Sequence, residues 1–120
     1  MARILIVDDA AFMRGSLEFI LRNAGHEVVG LCKDGGEAIN LFRELKPDIV
    51  TMDILMKGMD GLTALKTIRE ESPDVKVIMI TALGQEAKER EAEDLGASGY
   101  IRKPFKQEEI VNEIGRVLKG

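Results

Sequence analysis

In four places this sequence sets side chains able to do chemistry just beyond a short aliphatic run. Asp8-Asp9 follow Arg3 to Val7, Asp53 follows Ile49 to Met52, Thr81 follows Val75 to Ile80, and Lys103 stands just past Gly99 to Ile101. Brought together, three carboxylates, a hydroxyl and an ammonium would suit phosphoryl transfer. Like charges at short range cannot all stay ionised without a counter-charge, and a hard divalent cation supplies one. Carboxylate oxygens are what Mg²⁺ takes, usually with several waters and substrate phosphate oxygens completing its shell. Asp53 is then the nucleophile, and the metal neutralises charge on the transferred group. Lys103 adds a positive point charge at the phosphoryl oxygens, and the Thr81 hydroxyl donates a hydrogen bond to one of them. The product is an acyl phosphate on Asp53, whose added negative charge pulls on Lys103 and Thr81 and biases neighbouring segments between two arrangements.

Taken singly, each group has a plainer reading. Asp53 alone is a solvated strand-end acid, Asp8-Asp9 an acid pair favoured by a helix dipole, Thr81 a helix cap and Lys103 a solvated lysine. The case therefore rests on the elements that would carry them to one rim.

Arg3 to Val7 shows no polar alternation and suits a strand covered on both faces. Met13, Leu17, Ile20, Leu21 and Ala24 recur at helical spacing, with Gly25 as the closing residue. Val28 to Cys32 predicts a second strand interrupted by Gly30, and Asp34-Gly35-Gly36 a turn. Ala38, Ile39, Phe42 and Leu45 stripe a second helix, which Pro47 stops before the third strand. Leu62, Leu65 and Ile68 stripe a third helix ending before Ser72-Pro73. After the fourth strand, Gln85 to Leu95 has helical composition but only Ala87, Ala92 and Leu95 as apolar positions, which predicts a loosely held helix. Ile110, Ile114, Val117 and Leu118 stripe the last. Strands alternating with helices through short connections predict a doubly wound α/β domain with five parallel strands and five helices. An open parallel sheet binds its ligands beyond the carboxyl ends of its strands, which is where all four groups stand.

Composition narrows the function classes. A chain of 120 residues is expected to form a single domain, residues 1–120, with 45% apolar and 32% charged residues arguing against disorder. A formal charge of -4 offers no footprint for nucleic acid, and no apolar run approaches membrane-spanning length. Met1-Ala2-Arg3 leads straight into a strand rather than a signal peptide, and the single cysteine, Cys32, fits a reducing compartment, so a cytoplasmic location is expected. Cys32 reads as a small buried hydrophobe, His26 as a loop residue, and Met56 and Met59 as gap-fillers.

The chain resembles a response-regulator receiver domain, and within that family the stand-alone chemotaxis receivers of the CheY type. The resemblance is carried by Ile6-Val7-Asp8-Asp9, Pro47 through Asp53, Met59-Asp60-Gly61, Thr81-Ala82, Gly96-Ala97 and Lys103-Pro104-Phe105. Asp8 through Arg14, together with Ala82 through Gln85, is closest to the chemotaxis branch. The resemblance implies a flavodoxin-like strand order, which pattern alone does not reveal; receivers of this type are a standing example of that order. It implies phosphorylation of Asp53 by the phosphohistidine of a CheA-like histidine kinase. Mg²⁺ would be held by Asp9, Asp53 and the backbone carbonyl of Leu55, with Asp8 acting chiefly through a bound water. It further implies a cis Lys103-Pro104 peptide, a switch in which Tyr100 rotates as Thr81 moves, and output to a motor switch or adaptor protein through the fourth helix, fifth strand and fifth helix of a monomer. Such a receiver is not an enzyme acting on others, though it catalyses its own phosphorylation and dephosphorylation.

Four positions depart from the family pattern. Lys57 stands where proline is usual, Gly58 loosens the same loop, and Leu55 and Leu83 are apolar where side chains govern how water reaches the acyl phosphate. Competing readings are a phosphorelay intermediate, the excised receiver of a longer regulator, and, from another class, an aspartyl-nucleophile phosphatase. The last wants two acids separated by one residue after the first strand, whereas Asp8 and Asp9 are adjacent. A flavin or dinucleotide site is disfavoured because acids end the first strand and no G-x-G-x-x-G follows.

Overall fold

The computed structural model describes residues 1–120. Strands β1 (Arg3–Val7), β2 (Glu27–Cys32), β3 (Ile49–Met52), β4 (Lys76–Thr81) and β5 (Gly99–Arg102) alternate with helices α1 (Ala11–Asn23), α2 (Gly35–Leu45), α3 (Gly61–Glu71), α4 (Glu86–Asp94) and α5 (Gln107–Lys119). All pairings are parallel and the strand order is β2-β1-β3-β4-β5. This is the flavodoxin-like α/β arrangement that the resemblance implies.

The strands lack polar alternation because both faces of the sheet are covered. Leu5, Val7, Val50, Met52, Val77 and Met79 point toward α2 and α3 and join one core cluster with Ala38, Phe42, Leu65 and Ile68. Ile4, Ile6, Ile49, Ile78 and Ile80 point the other way and meet Leu17, Leu21, Ile110 and Ile114 of α1 and α5. The period-two alternation of a strand thus feeds two separate cores. No helix is long and apolar enough to cross a membrane.

Local chemistry sets the boundaries. Gly25 takes a left-handed φ of 92° just after the Ala24 cap of α1, a conformation that a Cβ would disfavour. Gly30 marks a register shift, since Ile4 pairs with Val28 but Leu5 with Gly30. The turn expected at Asp34-Gly35-Gly36 is instead a helix start. Asp34 is the N-cap of α2, its side chain accepting from the Glu37 N–H at 2.8 Å, and both glycines are already helical. α4 buries only Ala92, as its sparse apolar positions predict.

Cys32 ends β2 at 2% exposure, and burial, aided by the carboxylates of Glu37 and Asp34, pushes its thiol up to about 12. Only the thiolate is nucleophilic, so the native thiol is expected to be inert. Iodoacetamide at pH 8 should leave native Cys32 unmodified over a period that fully labels the urea-unfolded chain; equal labelling by mass spectrometry in both states would contradict the burial described.

Candidate functional site

Register places the acids. Val7 lies opposite Met52, so the residues that follow, Asp8 and Asp53, emerge side by side beyond the strands. Their backbones prolong the ladder, Asp8 N–H donating to the Cys32 carbonyl at 3.0 Å and Asp53 N–H to the Val7 carbonyl at 3.2 Å. Asp9 comes next on the same corner. One carboxylate oxygen from each of Asp8, Asp9 and Asp53 lies within 4.8 Å of the others.

Lys103 enters from beyond β5. Its N–H donates to the Thr81 carbonyl at 2.8 Å, fixing the backbone, and the side chain then crosses the end of β4. The Nζ donates to Asp8 Oδ2 at 2.7 Å and to Asp53 Oδ2 at 2.8 Å, in a setting where both acids are buried and the lysine side chain is 16% exposed. Burial works to lower the Lys103 pKa, but hydrogen bonds and charge from Asp53 and Asp8 outweigh it and hold the ammonium above its ordinary value. The remaining oxygens of the buried acids are also engaged. Asp8 Oδ1 accepts from Ala10 N–H at 2.9 Å and Asp53 Oδ1 from Leu55 N–H at 3.1 Å.

Two oxygen donors at this rim are left over. Asp9 is exposed with no hydrogen bond from the protein to its carboxylate, and the Leu55 carbonyl accepts from no protein donor. Three clustered carboxylates and a free carbonyl form an all-oxygen donor set, which fits a hard cation such as Mg²⁺.

Thr81 is fully buried at the end of β4, and its Oγ1 accepts from Leu83 N–H at 3.4 Å. It does not cap α4; that position belongs to Gln85, whose side chain makes no capping bond. Tyr100 is half-buried, and its hydroxyl donates to the Leu83 carbonyl at 2.5 Å. Burial and the Glu89 carboxylate raise its pKa and keep that donor protonated. Thr81 and Tyr100 therefore grip the same residue from its two backbone groups. The Lys103-Pro104 peptide is cis.

Gly61, in the Met59-Asp60-Gly61 run quoted above, is a positioning residue, a role that the residue patterns did not assign to it. A Cβ there would stand 2.0 Å from the Asp53 carbonyl oxygen and 2.9 Å from Ile54 Cα, so only glycine lets α3 start against the backbone of the acid. Its N–H donates to the Ile54 carbonyl at 2.9 Å, while Asp60 caps the helix by accepting from Thr63 N–H at 2.9 Å. The Asp-Gly pair just before an apolar stripe was the available signal.

Comparison with known proteins gives the family of the chain. Residues 4–115 match the family described as the response regulator receiver domain. The chain is 48% identical to the chemotaxis protein CheY of Thermotoga maritima over 98% of each chain, and 44% identical to that of Bacillus subtilis over 97% of each. Among solved structures it superposes with a TM-score of 0.94 on the CheX-CheY-BeF3-Mg+2 complex from Borrelia burgdorferi, at 35% identity, covering 97% of this chain and 88% of that one.

The close approach at Gly61 has a measurable cost. Gly61→Ala should destabilise the fold by roughly 1–3 kcal/mol, as overpacking against unyielding backbone does. Gly15→Ala, in an exposed helix interior with nothing within 4 Å, should instead stabilise it, by up to ~1 kcal/mol. Urea midpoints of the two variants test both signs.

Proposed function

The chain belongs to the response regulator receiver family, and from that premise we propose that it is a phosphorylation-switched chemotaxis receiver that accepts a phosphoryl group on Asp53 from a CheA-like histidine kinase. The observation that carries this reading is the buried pairing of Lys103 with Asp53 and Asp8 beside a third, free carboxylate. A carboxylate oxygen of Asp53 forms the new bond to phosphorus as the bond from phosphorus to the donor imidazole nitrogen breaks, and the imidazole regains a proton from water. Lys103, already charged, meets the incoming anion without a proton transfer. The Thr81 hydroxyl, which has no protein acceptor for its hydrogen, is free to donate to a phosphoryl oxygen.

Mg²⁺, when bound, offsets the charge of the acids and of the transferred group. In this reading Asp9, Asp53 and the Leu55 carbonyl hold it, with Asp8 acting through water. Phosphorylation draws Thr81 and Lys103 toward the new charge. Because Thr81 holds Leu83 N–H and Tyr100 holds the Leu83 carbonyl, that movement reaches Tyr100 and the start of α4. The α4, β5 and α5 face then presents the signal to a motor switch or adaptor protein, with residues 1–120 acting as one cytoplasmic, monomeric receiver. The Borrelia CheY, seen with CheX, BeF3 and Mg+2, supports a partner-binding receiver; a phosphatase reading has no comparable support here.

Acetyl phosphate with Mg²⁺ should phosphorylate the wild type and not Asp53→Asn, read by intact mass. Labelling of both alike, or of neither, would remove Asp53 from the proposed role. Leu55 is 52% exposed and lines one groove with Leu83 and Met56, so these side chains screen water from an acyl phosphate on Asp53. Replacing them by groups that hold water, Leu55→Asn with Leu83→Glu, should speed dephosphorylation on the order of tenfold, below the ~10²-fold of a fully positioned acid–base group. An unchanged decay of phosphoprotein would refute the screening role.

A further inference from the structure

Arg14 touches none of the acids' carboxylates, yet its Nη1 donates to the main-chain carbonyl of Asp8 at 2.8 Å from a partly buried position. That carbonyl belongs to the peptide unit joining Asp8 to Asp9, so the bond fixes the plane from which the Asp9 side chain departs. Asp8 has other anchors: its N–H is held by Cys32, and its two carboxylate oxygens by Ala10 N–H and Lys103. Asp9 has none of its own. Its direction depends on its main chain, and Arg14 is the side chain that reaches the peptide leading into it. The guanidinium arrives from α1, one turn beyond the corner, so helix and acid turn are tied together.

Resting on the metal-assisted reading above, we propose that Arg14 is a positioning residue for divalent-cation binding, acting through the Asp8-Asp9 peptide. Sign separates this role from simple electrostatics. A cation beside an acidic site repels a second cation, so removing the charge alone should tighten Mg²⁺ binding. Removing a group that aims a ligand should weaken it, and outer partners of metal ligands are typically worth about 10–100-fold in affinity.

The test uses Mg²⁺ alone, titrated calorimetrically into wild type, Arg14→Met, Arg14→Lys and Asp9→Asn, at a temperature where each is folded by circular dichroism. Methionine keeps much of the apolar stem and removes the donor; lysine restores one donor and the charge. Arg14→Met should bind Mg²⁺ about tenfold more weakly, with Arg14→Lys recovering much of the loss. Affinity in Arg14→Met equal to or tighter than wild type, or a loss that Arg14→Lys does not recover at all, would overturn the proposal. Failure of the wild type to bind Mg²⁺, or undiminished binding by Asp9→Asn, would instead break the metal-assisted reading on which it rests.

Discussion

The Lys103 ammonium, held between Asp8 and Asp53, is the interaction on which the arrangement of this rim depends. Two carboxylates buried side by side at the ends of neighbouring strands would repel each other with little water to screen them, and a single cation bonded to both removes most of that cost. Taking one partner away strands a buried charge, which typically costs about 3–5 kcal/mol, whereas the intact set need contribute little to stability. The lysine thus keeps the buried acids tenable at this rim, where under the proposed function a metal and a phosphoryl group would use them. Of the four buried polar residues, Asp8, Asp53 and Thr81 belong to this rim; Thr51 is the fourth, and its hydroxyl has no hydrogen-bond partner.

A site of this kind needs a rigid floor, and the sheet supplies it. Apolar side chains alternate between two cores, so slipping any central strand by one residue would exchange its two faces and move its terminal acid out of register. The pairing that buries Ile4 and Leu5 on opposite faces is therefore the pairing that sets Asp8 beside Asp53. Core packing and site geometry are two consequences of one register.

Residue types and spacing revealed the strands, the helix stripes and the ends where the chemistry would lie, because each is a local pattern. Long-range features were less legible. Lys103 was readable as a positive charge for the phosphoryl oxygens, but its hold on both Asp8 and Asp53 depends on a reach across β4 that no local spacing encodes. Asp34-Gly35-Gly36 read as a turn because glycine pairs usually are, while the Asp34 cap and the close approach of Gly35 to the Met59 backbone make it a helix start. Taken singly, Thr81 read as a cap because hydroxyls often are, but its oxygen faces Leu83 N–H rather than the first turn of α4. The strand order came from family resemblance alone, since alternating strands and helices fit several orders equally.

Under the proposed function, the weakly anchored α4 is the natural responder to events at this rim. It buries only Ala92, its N-cap makes no side-chain bond, and the chain leading into it is held at Leu83 by one hydrogen bond from Tyr100 and one to Thr81. Hydrogen bonds of this sort are worth about 0.5–1.5 kcal/mol each, so the Leu83 bracket could bias the helix by roughly 1–3 kcal/mol. Inverting a two-state equilibrium from 1:99 to 99:1 takes about 5.5 kcal/mol. Under the proposed function, the bracket by itself would thus give phosphorylation a graded shift in the arrangement of α4. A sharper response would have to draw the rest of its free energy from a partner that binds one arrangement of this face better than the other.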